Sequence, residues 1–458
     1  MSLDRLRAEF PALRPRGEEP PPVYLDSACM SLVPQPVLAA MEQYYREFPG
    51  CAGRSLHRYA QEVGRRYEDA RRGFADFLGC RDPAGIVFLR NATEAINLVG
   101  QGLDWQAGDR VLISDREHNS NLVPWQRLAA ERGIRIEVLP LSDDGSFDGD
   151  ALEEHLAKGV RLISLFHTSN LDGRSLPVRE VTERGHDRGA RVLIDGCQAA
   201  PHEAVDLDRL GVDYYAVSAH KMLGPTGFGV LAGTAESLAA LRPLMVGGET
   251  VEWSTLTGHE LRPAPYRFEA GLQNYAGAIG AHAALDFLRR VGFEEVERRQ
   301  LAANTRITSA FAEEPRLHLL GPKDPSRRSS IFAFSVDGID PNDVALFLDE
   351  GYRVMVRSGM HCVHSFYAGR GLPGNVRASF YLYTDRRDAE TFVRGLRELL
   401  DRVPAGALSG TSAAIAGSTS RRGSARRRAA GSRGAAARSA PPRRRAARGR
   451  AASGAGSG

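Results

Sequence analysis

Short apolar runs alternate with stretches of helical character between Gly85 and Gly233, and this alternation restricts the fold more than any other feature of the 458-residue sequence. Several runs are almost continuously hydrophobic, which is typical of strands buried on both faces. Strands separated by helices form a mainly parallel sheet that is covered on both sides. The runs predict seven strands, at Ile86–Leu89, Val111–Ser114, Ile134–Leu139, Leu162–Phe166, Val192–Asp195, Tyr215–Ser218 and Gly229–Ala232.

The pattern changes after about Leu285, where longer helical stretches surround fewer strands. This change predicts a second, smaller α+β domain with a helical stretch over Ala278–Arg306, strands at Ile331–Val336 and Arg353–Arg357, a helix from Pro341 and a final helix over Asp388–Arg402. The predicted organisation is an N-terminal segment (1–22), a large α/β domain (23–284), a small α+β domain (285–404) and a tail (405–458). The tail is almost entirely Ala, Gly, Ser, Arg and Pro, a composition that predicts disorder because it buries too little apolar surface.

Charge and apolar content exclude several classes of protein. The formal net charge is +4, but residues 409–458 hold twelve arginines and no acidic residue, so 48 basic residues face 56 acidic ones in the rest of the chain. No apolar run approaches the roughly 18 residues that a membrane span requires. Residues 1–10 carry charges and no apolar core, which argues against a secretory signal.

The five cysteines are scattered and show no CxxC pairing. This spacing argues against a disulfide framework and against a zinc site or other metal site. Without an export signal, the sequence predicts a reduced, cytoplasmic location.

Two consecutive predicted strands end in residues with complementary chemistry. The run Val192–Asp195 ends in a carboxylate, and the next run leads through Ser218 to Lys221. Ligands of parallel sheets bind beyond the carboxyl ends of the strands. Pyridoxal 5'-phosphate needs an amine for its aldehyde and a carboxylate against its pyridine nitrogen. Lys221 and Asp195 therefore predict a pyridoxal-phosphate site.

Other strand ends add groups suited to the same cofactor. Thr93 follows a strand and begins a helix, where a hydroxyl and a helix N-terminus favour phosphate. His118 also follows a strand and offers a flat ring for stacking. Each feature alone is common in proteins, and their order along the chain makes the combination specific.

Taken together, residues 20–400 resemble the class V aminotransferase family of fold type I pyridoxal enzymes, and more closely the group II cysteine desulfurases with their archaeal relatives. The stretches that carry the resemblance are Tyr24–Ala28, Gly53–Arg58, Ala92–Asn97, Glu117–Trp125, Asp195–Gln198, Ser218–Lys221, Arg267–Gly271, Arg357–Cys362 and Arg377–Ser379. The resemblance implies a mainly parallel seven-stranded sheet domain and a smaller α+β domain.

The resemblance also implies roles for individual residues. Lys221 is expected to form the Schiff base and Asp195 to hold the pyridinium. Gln198 is expected to bind the phenolic oxygen and His118 to stack on the ring. The expected phosphate ligands are Thr93, Ser218 and His220, and the expected ligands of the substrate carboxylate are Asn170 and Arg377.

Cys362 is the candidate nucleophile. It lies in the polar stretch Arg357–His364, where a glycine, two histidines and an arginine favour the thiolate. It also aligns with the cysteine that forms a persulfide in the family. A buried structural cysteine is the alternative, but the surrounding segment is polar rather than apolar.

The predicted activity is the conversion of L-cysteine to L-alanine with a persulfide on Cys362. The resemblance further implies a homodimer and a sulfur-acceptor or iron–sulfur scaffold protein as partner. Three positions depart from the family pattern, and none of them removes a group that does chemistry. Leu272 stands where a threonine often reaches the phosphate across the dimer, Asn119 where histidine is frequent, and Ala219 where glycine is usual.

Two alternatives stay open from the sequence. Selenocysteine lyases, epimerases and transaminases share the lysine and aspartate, although the latter two need no thiol. A function of a different class is nucleic-acid binding through the twelve tail arginines, whose phosphate contacts would weaken with salt. The tail has no aromatic residue to stack on bases, which argues against this second reading.

Overall fold

The computed structural model describes residues 3–15 and 17–402, so the predicted disordered tail lies outside the described residues. The strands are β1 (Val23–Tyr24), β2 (Ile86–Leu89), β3 (Arg110–Ser114), β4 (Arg135–Leu139), β5 (Val160–Phe166), β6 (Arg191–Asp195), β7 (Tyr214–Ser218), β8 (Gly229–Gly233), β9 (Val251–Ser254), β10 (His259–Leu261), β11 (Leu317–Leu320), β12 (Ile331–Val336), β13 (Val354–Met355), β14 (Arg357–Gly359) and β15 (Asn375–Ser379).

Helices surround these strands. The α-helices are α1 (Leu3–Ala8), α2 (Gln35–Glu47), α3 (Arg58–Phe77), α4 (Ala92–Gly102), α5 (Val123–Arg132), α6 (Gly149–Leu156), α7 (Val178–Asp187), α8 (Leu207–Leu210), α9 (Ala235–Ala239), α10 (Tyr275–Val291), α11 (Phe293–Ala310), α12 (Pro341–Tyr352), α13 (His364–Arg370) and α14 (Arg386–Arg402). Short 3-10 helices are found at Pro11–Leu13, Pro83–Gly85, Asn119–Asn121, Ala219–Lys221, Tyr266–Phe268 and Pro325–Arg327. Among the described residues, no helix is both long and apolar enough to cross a membrane.

The central sheet has seven strands in the order β2-β8-β7-β6-β5-β3-β4. Strand β8 is antiparallel to both of its neighbours, and the pairs from β7 to β4 are all parallel. Six strands therefore run in one direction, which confirms the mainly parallel seven-stranded sheet. Buried apolar side chains cover both faces, because strands such as β7 are buried at every position.

A second sheet is built from the later part of the chain. Its four strands are antiparallel in the order β11-β12-β15-β14. The first strand of the chain also belongs near this region, because Val23–Tyr24 pairs in parallel with Val354–Met355. Val23 and Leu25 pack in the same apolar cluster as residues of β12 and α14. The domain bounds stay a prediction. The β1–β13 pairing links a segment of the predicted large domain (23–284) to a segment of the predicted small domain (285–404).

The helical stretch expected over 278–306 consists of two helices. Helix α10 ends at Val291 and α11 begins at Phe293. Gly292 between them has φ 82°, a left-handed conformation that glycine adopts without steric cost. The apolar periodicity continues on both sides of this break, so hydrophobic pattern alone predicted one helix.

A buried ion pair joins the first long helix to the central sheet. Arg71 of α3 donates from Nη1 and Nη2 to the Glu269 carboxylate at 2.7 and 3.0 Å, and both side chains are at most 3% exposed. Glu269 also accepts from the Phe88 backbone N–H at 2.8 Å and from the Tyr67 hydroxyl at 2.9 Å. Both carboxylate oxygens are thereby satisfied, which offsets the cost of burying the charges.

Replacing Glu269 by alanine is expected to lower the free energy of unfolding by about 3–5 kcal/mol, because Arg71 would keep its buried charge with only the more exposed Glu68 as an ion-pair partner. Urea unfolding followed by circular dichroism measures the change. The matched control is Glu131→Ala in the exposed Arg127–Glu131 pair, for which we expect a loss of less than about 1 kcal/mol. Equal losses in the two variants would contradict a stabilising role for the buried pair.

Candidate active site

The predicted carboxylate and amine lie at the same edge of the central sheet. Asp195 is the last residue of β6, and Lys221 ends the 3-10 turn that follows β7. The two strands are parallel neighbours, with Asp195 opposite Ala216. The sheet therefore carries both groups on adjacent strand ends, where ligands of such sheets bind.

The surroundings of these two side chains fit a cationic, aldehyde-bearing ligand. Asp195 is 9% exposed and accepts the Cys197 backbone N–H at 3.0 Å. Within residues 3–15 and 17–402, no cationic side chain forms an ion pair with this carboxylate. A buried carboxylate without a cation is costly, and a pyridinium N–H would supply the missing charge. Lys221 is half-buried and has no hydrogen bond or ion pair in the described part of the chain, which leaves its amine available.

A helix N-terminus and several hydroxyls form a cradle for an anion. Ser218 at the end of β7 accepts the backbone N–H of Ala92, the first residue of α4, at 2.9 Å. Thr93 is exposed in the first turn of α4, and its hydroxyl lies 2.7 Å from that of Ser120. An eleven-residue helix presents partial positive charge at this end. The structure thus joins Thr93 and Ser218, and adds Ser120, which the sequence analysis missed.

Two histidines near Lys221 are held in the neutral form. Burial and the positive charge of Lys221 lower the pKa of His220 to about 4. The same two causes, in that order, lower the pKa of His118 to about 4, although Asp195 acts against them. His118 Nδ1 also accepts the Ser120 backbone N–H at 3.1 Å. A neutral, oriented imidazole is suited to stacking on a flat ring.

Gln198 is buried beside the same strand ends. Its side-chain amide donates to the Ala28 carbonyl at 2.8 Å. An amide carries two donor hydrogens, so one remains for a ligand oxygen. The neighbouring Cys197 is a poor nucleophile, because burial and the nearby Asp195 charge raise the pKa of its thiol to about 12.

Arg377 and Asn170 lie together, but their polar groups bind protein partners. Arg377 is 1% exposed and donates to the Asn170 carbonyl at 2.8 Å and to Asp26 Oδ1 at 3.3 Å. Its Nε is buried and has no hydrogen-bond partner within the described residues. The Asn170 amide donates to the His361 carbonyl at 2.8 Å. Asp26 was not predicted as a site residue. Its carboxylate already forms an ion pair with Arg377, the arginine expected to bind the substrate carboxylate.

Cys362 is brought to this site by backbone hydrogen bonds. Its loop connects β14 to α13, and the Asn119 N–H donates to the Cys362 carbonyl at 2.7 Å. His361 and Cys362 have φ of 48° and 60°, values that residues other than glycine rarely adopt. Arg357 Nη2 lies 3.4 Å from Cys362 Sγ, where the guanidinium stabilises negative charge on sulfur.

The signal for the missed residues was present in the sequence. Asp26 lies inside a stretch that carries the family resemblance, and Ser120 follows His118 by two positions. Their partners Arg377 and Thr93 lie far from them in the chain, so spacing alone did not reveal their roles. Within residues 3–15 and 17–402, no cluster of three or more His, Cys, Asp or Glu side chains could hold a metal ion.

A family model described as aminotransferase class V matches residues 23–392. A probable cysteine desulfurase from Halobacterium salinarum is 36% identical over 404 residues, which cover 87% of this chain and 96% of the relative. Two solved structures have a TM-score of 0.81. The apo cysteine desulfurase from Thermococcus onnurineus NA1 is 36% identical, with 83% of this chain and 95% of that chain covered. The cysteine desulfurase CsdA (S-sulfonic acid) from Escherichia coli is 34% identical, with 88% and 100% covered.

Acid is expected to destabilise the fold through His202, because burial, followed by the Lys221 charge, lowers the pKa of this histidine from 6.5 to about 3. Below about pH 6.5 the His202 imidazole binds a proton in the unfolded chain but stays neutral in the folded protein, so the free energy of unfolding falls as pH decreases. Between about pH 7.5 and about pH 5, His202→Gln should lose about 2 kcal/mol less unfolding free energy than the wild type. Urea titrations at both pH values test this difference, and His259→Gln, at an exposed position, is the control. Equal losses in His202→Gln and the wild type would contradict it.

Proposed function

This chain belongs to the class V aminotransferase family, and we propose that it is a pyridoxal-phosphate-dependent cysteine desulfurase that converts L-cysteine to L-alanine and leaves a persulfide on Cys362. The proposal is carried by one observation: the Cys362 loop is hydrogen-bonded to the His118–Asn119 segment, at the strand ends where Lys221 and Asp195 lie. A thiol in that position serves a reaction that needs a sulfur nucleophile.

The residues present fit the cofactor. Lys221 would hold its aldehyde carbon, Asp195 its ring nitrogen and Gln198 its phenolic oxygen, while His118 would cover the ring. The phosphate would lie against the N-terminus of α4, with ligands Thr93, Ser218 and His220. When bound, pyridoxal phosphate supplies an electron sink for the Cα of an amino acid.

The chain's own groups then move the proton and the sulfur. Lys221 Nζ takes the Cα proton of L-cysteine, since no hydrogen bond or ion pair with the described residues occupies its amine. The Cys362 thiolate attacks the substrate sulfur, so an S–S bond forms as the Cβ–S bond breaks. The carbon product is alanine once Cβ and Cα are protonated. Arg357 stabilises the attacking thiolate through its contact with Cys362 Sγ.

Arg377 and Asn170 are proposed to hold the substrate carboxylate. The unpartnered Nε of Arg377 supports this role, because a buried guanidinium N–H without an acceptor is costly. Asp26 keeps part of the arginine charge compensated before substrate binds. A substrate carboxylate that binds Arg377 would displace or share the Asp26–Arg377 ion pair. Substrate binding would thereby affect the segment that contains Asp26.

A homodimer is also part of the proposal. A large set of apolar side chains is exposed around the β9–β10 hairpin, and exposed patches of this kind mark interaction sites. The side chains are Leu244, Met245, Val246, Trp253, Leu256 and Leu272. Leu272, at 69% exposed, would bring an apolar group to the interface at the position where the family often has a phosphate-binding threonine. A sulfur-acceptor or iron–sulfur scaffold protein is the proposed recipient of the persulfide.

Cys362→Ala should lower cysteine-dependent alanine formation by at least about 100-fold, because the nucleophile is removed while the cofactor groups remain. Alanine is measured by amino-acid analysis during steady-state turnover. Cys80→Ala is the control, since Cys80 lies half-buried and its thiol donates to the Asp82 carbonyl. Alanine formation at the wild-type rate in Cys362→Ala would contradict the assigned nucleophile.

Borohydride reduction of the protein with pyridoxal phosphate should label a single lysine. The chain contains three lysines, Lys158, Lys221 and Lys323, so peptide mapping by mass spectrometry distinguishes them directly. We expect the label on Lys221, and its loss in Lys221→Ala but not in Lys158→Ala or Lys323→Ala. A label on Lys158 or Lys323 would show that the cofactor amine is elsewhere.

A further inference from the structure

The segment that carries Cys362 has a backbone conformation that needs support from its neighbours. We call residues 360–363, between β14 and α13, the thiol loop. His361 and Cys362 have φ of 48° and 60°, which residues with a side chain adopt only at a cost. Such conformations persist where surrounding contacts hold them in place. The hydrogen bonds of the thiol loop therefore determine where the thiol lies.

The beginning of the thiol loop is held through His361. The Asn170 side-chain amide donates to the His361 carbonyl at 2.8 Å. The His361 ring is fixed as well, because its Nε2 lies 2.6 Å from Oδ1 of Asn375, the first residue of β15. Both contacts act before the thiol in the chain, and the end of the loop is held by a different residue.

Asn119 binds the end of the thiol loop twice. Its backbone N–H donates to the Cys362 carbonyl at 2.7 Å. Its side-chain amide is hydrogen-bonded to His364 Nδ1 at 2.8 Å. His364 is the first residue of α13, so the second bond fixes the point where the loop enters the helix. One residue thus holds the chain on both sides of the peptide bond that follows Cys362.

Asn119 is in turn anchored to the central sheet. It begins the 3-10 turn Asn119–Asn121, which directly follows Glu117 and His118. The Glu117 carboxylate accepts from Asn121 Nδ2 at 2.8 Å and from the Phe166 backbone N–H at 3.3 Å. Glu117 is 1% exposed, so a shift of the turn would break buried hydrogen bonds. The turn is therefore a firm support for the thiol loop.

We propose that Asn119 and His364 are positioning residues for Cys362, because their side-chain hydrogen bond keeps the thiol loop closed against the strand ends. This inference rests on the proposed desulfurase function, in which Cys362 attacks the substrate sulfur. Neither residue acts on the reacting atoms. They keep the thiol in one place while substrate is bound, and attack requires the two sulfur atoms to be held at a short, defined distance.

The bond should affect the rate of attack more than the binding of substrate. Arg377 and Asn170, the proposed ligands of the substrate carboxylate, do not depend on the Asn119 side chain for their hydrogen bonds. Asn119→Ala also keeps the backbone N–H that binds the Cys362 carbonyl, so this variant removes the side-chain bond alone. A lower kcat with a nearly constant KM is the pattern expected when a group is misplaced only for the chemical step.

The test is a double-mutant cycle on the holoenzyme with Asn119→Ala, His364→Ala and the double variant. Hydrogen–deuterium exchange of peptides that cover residues 359–366 is followed by mass spectrometry without substrate. The Val363 N–H, which donates to the Met360 carbonyl at 2.8 Å, reports on closure of the loop. Each single variant should exchange about 2- to 10-fold faster than the wild type. The double variant should exchange no faster than either single variant, because all three lose the same bond.

Steady-state alanine formation from L-cysteine is measured on the same four proteins. We expect kcat to fall by about 2- to 10-fold in each single variant, with no further fall in the double variant. KM for L-cysteine should change by less than about twofold. The visible absorbance and circular dichroism of the bound cofactor should match the wild type. General damage to the site would change the cofactor signals, whereas misplacement of the thiol leaves them unaltered.

His318→Ala is the matched control. His318 is an exposed histidine whose Nε2 lies 2.7 Å from Asp337 Oδ1, and its strand β11 is at the opposite edge of the four-stranded sheet from β14. This variant should match the wild type in loop exchange and in kcat.

Three results would overturn the positioning role: loop exchange that stays at the wild-type rate in both single variants, single effects that multiply in the double variant, or faster loop exchange with an unchanged kcat. A wild type that forms no alanine would instead overturn the desulfurase function, while loop exchange would still show whether the Asn119–His364 bond holds the loop. The two failures are therefore distinguishable.

Discussion

The buried guanidinium of Arg377 is the interaction on which the arrangement of the site depends. It binds the Asn170 carbonyl and the Asp26 carboxylate, and Asn170 in turn binds the backbone of the Cys362 loop through His361. The segments of Asp26 and Asn170 are thereby joined to the later segment that contains His361 and Arg377. Since an unpaired buried charge costs several kcal/mol, these partners cannot separate freely. The position of the Cys362 thiol relative to the strand ends follows from this network.

The central sheet contributes the other half of the site. Parallel strands point their carboxyl ends to one edge, so Asp195 at the end of β6 and Lys221 in the turn after β7 lie at the same edge. Ser218 and the N-terminus of α4 complete a polar edge with both charge and hydroxyl groups. The central sheet positions the candidate cofactor groups, whereas Cys362, the proposed nucleophile, lies in the loop after β14 of the antiparallel sheet, where His361 and Cys362 have positive φ.

Much of the fold could be predicted because buried parallel strands are continuous apolar runs. All seven strands of the central sheet were located from that pattern, within two residues at each end. The antiparallel strands β11 and β15 were missed, since the first is half-exposed and the second contains Arg377 and Asn375 among its buried positions. The break at Gly292 was missed because apolar periodicity crosses it. The residues with expected cofactor roles lie at strand ends, where sequence order is informative, but the roles of Asp26 and Ser120 depend on contacts with residues far away in the chain.

The sequence by itself determined the fold class, the pairing of a strand-end carboxylate with a strand-end amine, and the presence of a cysteine in a polar stretch. Those features are local, and parallel-strand geometry converts them into proximity. Only the tertiary structure decided that Arg377 already holds Asp26 and that Asn170 supports the Cys362 loop. The physical reason is that hydrogen bonds and ion pairs between residues hundreds of positions apart leave no periodic signal in a single chain.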